Sequence, residues 1–232
     1  MRIVLQPAFV LHSKPYRDTS LLVDLLTLNH GRIHVLARNA RGLKSRFKNL
    51  VQPFTPFLGS WSGKSDLMYL GQVELTGAPY QLVGNSLISG FYLNELLVRL
   101  LHRHDSHSGV YDAYQTALIN LQKKENTEQT LRLFELRLLA EIGYGLELTK
   151  EAHTQMEIVP EKSYRYNPEF GFSNLLDLQV GGMIFSGKAL LALHHSNLQD
   201  EEDLRQAKRL LRFVLSSLLG EKPLKSRELF LK

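Results

Sequence analysis

Near residue 80 the hydrophobic period of this chain changes from two to about 3.6, and this limits the folds open to it more than any other feature. Ahead of the change, Gly31–Arg38 alternates, with Ile33, Val35 and Ala37 on one face and Arg32, His34 and Arg38 largely on the other. Phe9–His12, Leu21–Thr27, Val51–Trp61 and Leu67–Thr76 read as further strands, rich in Val, Leu, Phe and Thr. Asn29-His30-Gly31 and Ser62-Gly63-Lys64-Ser65 supply turns. Pro53 and Pro56 demote the start of the fourth strand to an edge or a bend. About five short strands in so short a stretch predict a small barrel.

Behind the change the pattern is helical. Phe91, Leu93, Leu96, Leu97, Leu100 and Leu101 recur through Leu87–His104, and Tyr111, Tyr114, Leu118 and Leu121 through Val110–Lys123. A third helix starts near Thr127, carries Leu131, Phe134, Leu138 and Ile142 on one face, and stops at Gly143 or Gly145. Tyr164–Phe172 reads as a small hairpin around Asn167-Pro168. Ser186–Leu193 and Asp200–Leu219 close the chain as helices, the second opened by four consecutive acids that suit a helix N-terminus. The expectation is an α+β protein: an all-β barrel over residues 1–82, then a mainly helical domain over 83–232 with a hairpin near 160–176.

The positive charge is unevenly placed. Of a net +5, residues 1–80 carry 10 Lys+Arg against 4 Asp+Glu, and residues 81–232 carry 18 against 19. Arg32, Arg38, Arg41, Lys44, Arg46 and Lys48 stand in a window with no acid between Asp24 and Asp66. Such a block is either a solvated loop that keeps the protein soluble or a face that binds an external anion. The missing acids, the bias to arginine and the strand directly before the block favour the second, with phosphate as the partner. A basic face on a small barrel is the pattern of the oligonucleotide-binding (OB) class. Of the aromatics that follow, Phe47 and Trp61, near loop-like stretches, are the candidates for stacking on bases; Phe54 and Phe57 read as core.

A second cluster, Lys208, Arg209, Arg212, Lys222, Lys225 and Arg227, is partly neutralised by Asp200–Asp203 and Glu221. It reads first as a salt-bridged helix surface and second as a further DNA contact. With no cysteine, disulfide scaffolds, thiol nucleophiles, iron–sulfur clusters and cysteine zinc sites are excluded. His102, His104 and His107 lack the spacing of two ligands on one helical face and read as a solvated helix end. No run approaches the length of a membrane span, so a soluble, cytoplasmic protein is expected.

Two segments imitate a phosphate-binding loop. Gly59–Ser65 has three residues between its glycines where four are required, and no helix follows. Gly182–Ala189 has the spacing, but Ala189 replaces the magnesium-binding hydroxyl and Phe185 is bulky for such a loop. A nucleotide-hydrolysing enzyme built on it stays open as a lesser reading, as does an RNA-binding barrel of ribosome assembly or translation. No constellation of Ser, His and Asp can be nominated by spacing, so no enzyme is expected.

The run Gly31–Ser45, leading to Leu50-Val51-Gln52-Pro53-Phe54, resembles the signature of the RecO family of bacterial recombination mediators. So do Phe9–Ser13 and Tyr16–Leu21 before it, and Ser89–Leu97, Arg132–Leu139, Gly143–Gly145 and Lys225–Phe230 after it, in the same order. The resemblance covers nearly the whole chain and implies an OB barrel on a helical domain. It also implies binding to single- and double-stranded DNA, annealing of complementary strands, and help in loading RecA onto strands coated with single-stranded-DNA-binding protein. RecR is an implied partner, as is the coating protein's acidic C-terminal tail, captured on the helical domain; a cytoplasmic, nucleoid-associated place follows. Some members carry a cysteine zinc finger after the Gly-Tyr-Gly region; here Tyr164–Phe172 stands in its place, so no metal or cofactor is carried over. The DNA role maps onto Arg38, Arg41, Lys44, Arg46 and Lys48, with Arg32 ahead of them, and the tail-binding role onto Arg132 and Arg137 beside the Leu131/Phe134 stripe.

Overall fold

A computed structural model of the chain describes residues 2–47, 50–64, 66–175 and 182–229. Five strands, β1 (Arg2–Tyr16), β2 (Ser20–Thr27), β3 (Gly31–Ala37), β4 (Phe57–Ser62) and β5 (Leu67–Leu75), close a barrel in the order β1-β2-β3-β5-β4. β3 and β5 pair in parallel and the other pairs are antiparallel, an OB-like arrangement. β1 serves both sides of the closure: its first half pairs with β4 and its second with β2. Val23 and Leu25 of β2 join Ile33, Val35 and Ala37 of β3 in the core, with Phe57, Trp61, Met68 and Leu70 from the last two strands. Alternation thus places the barrel interior where the sequence put it. The fourth strand starts at Phe57, not Val51, because Pro53 and Pro56 leave no continuous ladder of amides across that stretch.

The chain divides into two compact units, one of Met1–Glu125 with Pro223–Lys232 and one of Asn126–Lys222. In the first, helices α1 (Asn85–Leu100) and α2 (Ser108–Lys123) pack on the barrel. β1 bulges between Val10 and His12, and there the Leu11 carbonyl accepts from Asn94 Nδ2 at 2.9 Å. The Tyr114 hydroxyl donates to Asn94 Oδ1 at 2.6 Å. Burial pushes the Tyr114 phenol well up, so it stays a donor, and raises Tyr111 to about 12 with help from Tyr80 and Asp112. Phe9 packs between these two rings, 5.3 Å from Tyr111 and 5.2 Å from Tyr114. α1 stops at Leu100, short of His104. The loop beyond it lies on the start of β3, where Arg32 Nε donates to the Leu101 carbonyl and the Arg32 carbonyl accepts from the His104 amide. Gly31, at φ +62°, is demanded by this contact: a Cβ there would lie 1.8 Å from the Asp105 carbonyl oxygen.

A short helix the sequence did not announce, α6 (Lys225–Leu229), completes this unit. Its first amides, those of Lys225 and Ser226, donate to the two oxygens of Glu95 on α1 at 2.9 and 2.8 Å, and the Ser226 hydroxyl adds a bond of 2.6 Å. The carboxylate acts as a cap supplied from another helix.

The second unit holds α3 (Thr127–Glu141), a three-stranded sheet in the order β7-β6-β8, and helices α4 (Gly187–His194) and α5 (Glu201–Leu219). The expected hairpin is β6 (Ser163–Asn167) and β7 (Gly171–Asn174), and β8 (Met183–Ser186) joins it as a third strand; residue 176 lies outside the described residues. Ser186 caps α4 by accepting from the Ala189 amide, and Asp200 caps α5 by accepting from the Glu202 amide. Gly187 is fixed by packing, since a Cβ would lie 2.0 Å from the Val159 carbonyl oxygen.

Burial alone would raise Glu95, but the hydrogen bonds from Ser226 and Lys225, with Arg99 nearby, outweigh it and hold the carboxyl below its ordinary value. A folded-state value below the unfolded one contributes stability that is complete above the unfolded value and lost as pH falls through the folded one. Urea midpoints should therefore drop as pH is lowered from about 5 to about 3, and Glu95→Gln should shrink that drop while lowering the midpoint at pH 7. An acid limb of unchanged size in the variant would refute the assignment.

Candidate nucleic-acid interface

The barrel's basic block is held together by hydrogen bonds between two loops. Arg17–Thr19 joins β1 to β2, and the segment from Arg38 onward leaves β3. The Arg41 amide donates to the Thr19 carbonyl at 2.8 Å, and the Thr19 hydroxyl pairs with Asn39 Oδ1 at 2.9 Å. Within the second loop, Gly42 bonds back to Asn39 and Ser45 to Gly42. Arg38, Arg41, Lys44 and Arg46 are exposed on this frame. Arg17 joins them, a residue ahead of the acid-free window between Asp24 and Asp66 and so outside the basic block read from the sequence. Its φ of +50° is an uncommon conformation for an arginine and costs on the order of 1 kcal/mol.

Three of these arginines lean on rings: Arg38 over Tyr69 at 4.1 Å, Arg46 over Phe47 at 4.8 Å and Arg17 over Tyr16 at 5.3 Å. Each contact is worth about 0.5–1 kcal/mol at an exposed site and restricts a long side chain before any ligand arrives. From Arg46 a groove of about 650 Å³ runs along β1, β4 and β5, with Arg2, Ser60, Ser62 and Gln72 among its lining. The arrangement offers several exposed cations beside a trough of mixed polar and apolar lining, which suits a polyanion bound along its backbone.

Not every expected residue belongs to this face. Arg32 is largely buried and committed: Nη1 lies 2.9 Å from Asp24 Oδ1, and His34 Nδ1 is 3.3 Å from the same oxygen. It fastens the helical loop to the barrel, as described above. Phe47 and Trp61 are not stackers, being 3% and 2% exposed inside the barrel core. The exposed ring is Tyr69 on β5, at 43%, beneath Arg38. Lys48 lies outside the described residues.

In the second unit, Arg132 is buried with Glu135, while Arg137 is exposed and pairs with Glu141 at 2.7 Å. One residue faces the core and the other water, so they do not form a single grip, and Leu131 and Phe134 are core. Of the C-terminal cluster, Lys208 pairs with Glu128 at 2.6 Å and Arg209 bonds the Ile184 carbonyl and covers Phe185. Arg212 is exposed on α5, whereas Lys225 and Arg227 lie on α6 in the other unit and Lys222 between the two helices. The salt-bridged helix surface describes Lys208, whereas Arg209 is held by a carbonyl and a ring and not by an acid. The phosphate-loop imitation at Gly182–Ala189 is strand β8 running into α4, with Lys188 held by Asp200 at 2.9 Å. Among the described residues no group of three or more His, Asp or Glu is placed to hold a metal, and no helix is long and apolar enough to cross a membrane.

The first unit also carries an apolar groove of about 630 Å³ between α1, α6 and β1, floored by Leu11 and Val98 and flanked by the exposed Phe91 and Leu229. Its polar edge is lined by Arg99 and Lys225 together with Glu228 and with Glu95, whose carboxylate is taken up by α6.

Residues 1–79 match the family described as recombination protein O N terminal, and residues 83–228 match recombination protein O C terminal. Proteins named DNA repair protein RecO are similar over nearly their full length. The one from Coxiella burnetii (strain CbuG_Q212) is 50% identical, covering 98% of this chain and 98% of its own. That from Nitrosococcus oceani is 45% identical, over 99% and 93%, and that from Yersinia pestis (strain Pestoides F) 43%, over 97% and 93%.

The geometry separates a structural arginine from exposed ones. Arg32→Ala should lower unfolding free energy by about 1.5–3 kcal/mol, through the lost charged hydrogen bonds, and Lys44→Glu should leave it within about 0.5 kcal/mol. Chemical denaturation of both variants checks this, and equal losses would contradict the division.

Proposed function

This chain belongs to the recombination protein O family of DNA repair proteins, and on that premise we propose that it is a non-enzymatic mediator that binds DNA through the loops at residues 17–19 and 38–46. The observation that carries the reading is the exposed set Arg17, Arg38, Arg41, Lys44 and Arg46 on a hydrogen-bonded frame. These cations neutralise phosphates and release counterions, which makes binding indifferent to sequence and open to single and double strands alike. Two strands drawn to one protein meet at high local concentration, and annealing is the expected result. RecR and RecA enter as functional partners through the same family premise. The division of labour is a barrel over 1–82 for DNA and a helical part over 83–232 for partners.

For the acidic C-terminal tail of the single-stranded-DNA-binding protein, the groove between α1 and α6 is the better seat than Arg132. An apolar terminal side chain and a carboxylate need a cation beside an apolar trough, and Arg99 and Lys225 flank one.

Anisotropy of a labelled single strand across a salt series tests the first proposal. With five charges engaged, log K against log[salt] should fall with a slope of about −3.5, taking roughly −0.7 per phosphate. Arg41→Glu with Lys44→Glu should make the slope shallower by about 1.4 and weaken binding to every sequence. An unchanged slope would move the DNA site elsewhere. For the tail, Phe91→Ala should weaken binding of a tail peptide about tenfold, with the salt slope for naked DNA unchanged. Loss of both would mean that Phe91 supports the fold and is not a docking residue.

A further inference from the structure

We propose that Leu43 is a wedge that inserts between the bases of bound nucleic acid, an inference that rests on the DNA-binding reading of the same loop. Leu43 is 95% exposed, the most exposed of the large hydrophobic residues described. It stands between Arg41 and Lys44, both exposed, at the tip of the loop whose frame is the Arg41–Thr19, Gly42–Asn39 and Ser45–Gly42 hydrogen bonds. A branched apolar side chain held out on a braced turn gains nothing from water and has no neighbour in the fold to bury against.

The cations on either side choose its partner. Phosphates that bind Arg41 and Lys44 bring the sugar–base portion of a nucleotide within reach of the residue between them. The faces of the bases are the apolar part of that ligand, and leucine is among the side chains that enter base steps as wedges. Insertion separates two neighbouring bases and leaves their pairing edges open, which would help a strand find its complement. The other apolar target beside anionic groups is a lipid surface, and membership of a DNA repair family favours nucleic acid.

The probe is a single strand carrying 2-aminopurine, whose fluorescence rises when it unstacks. Saturating this strand with the protein should raise its emission. Leu43→Ala should abolish most of that rise and weaken binding about tenfold, the effect of losing a buried leucine's extra methyl groups, while keeping the salt slope. Leu43→Trp should restore the rise; with buried Trp61 the only native tryptophan, the new indole's quenching by bases reports contact directly. A wild-type protein that binds with the expected slope but leaves 2-aminopurine unchanged overturns the wedge and spares the DNA-binding reading. No binding at low salt overturns both. Binding of anionic vesicles that Leu43→Ala abolishes, with the 2-aminopurine signal unaffected, would assign the tip to a membrane and overturn the proposal.

Discussion

One buried amide holds the first unit together. Asn94 takes the Tyr114 hydroxyl on its oxygen and gives its nitrogen to the Leu11 carbonyl, so one side chain joins α1, α2 and β1. The site is a bulge, where a strand loses regular pairing and its backbone groups need other partners. Three buried polar groups satisfied by one another rigidify a core, whereas leaving any of them unpaired costs about 1–3 kcal/mol each. An apolar residue at position 94 would remove the amide that both the carbonyl and the phenol bind. The helices are therefore part of the barrel's own fold, and the Gly31–Asp105 approach and the Arg32–Leu101 bond secure a second point of the same contact.

That contact divides the arginines of one short window between two jobs. Arg32 opens β3 on the face that the 101–107 loop covers, and it is held by Asp24 and Leu101. Its charge is compensated inside the molecule, and removing either partner would leave the other charge poorly solvated. Arg38 onward lies past the end of the strand, where the chain leaves the sheet and no acid is near in sequence. The balance of +6 in the first 80 residues is thus exposed mainly on loops. In the second unit the basic side chains are largely answered within the fold, Lys188 by Asp200 and Lys208 by Glu128.

Much of this was legible because it is local. Alternation in Gly31–Arg38 gave the inward set Ile33, Val35 and Ala37, and the four acids and Ser186 marked two helix starts that the structure caps as expected. What stayed hidden depends on contacts far apart in sequence. Gly31 reads as a turn glycine, yet a carbonyl 74 positions later is what excludes a side chain there. α6 has five residues, too few for a period, and exists because Glu95 caps it from 130 residues away. Loop-like sequence flanks Phe47 and Trp61 and points them outward, but a small barrel must fill its interior with large rings wherever the chain can supply them. Tyr69, the ring that is exposed, gave no signal apart from its place in a strand.

A binding face made this way has a definite character. Its donors are guanidinium and ammonium groups presented from loops, with the guanidinium groups of Arg17, Arg46 and Arg38 steadied by Tyr16, Phe47 and Tyr69. If the face binds DNA as proposed, affinity comes from counterion release, which salt weakens steeply and sequence hardly alters. Steadying the arginines in advance lowers the ordering cost of each contact without making any one contact strong. Many modest contacts also let a strand leave by stages, since each phosphate can exchange with salt before its neighbours do. On the proposed reading, a mediator that brings strands together and then yields the product needs this combination: tight enough to concentrate its ligand, and divided finely enough to release it.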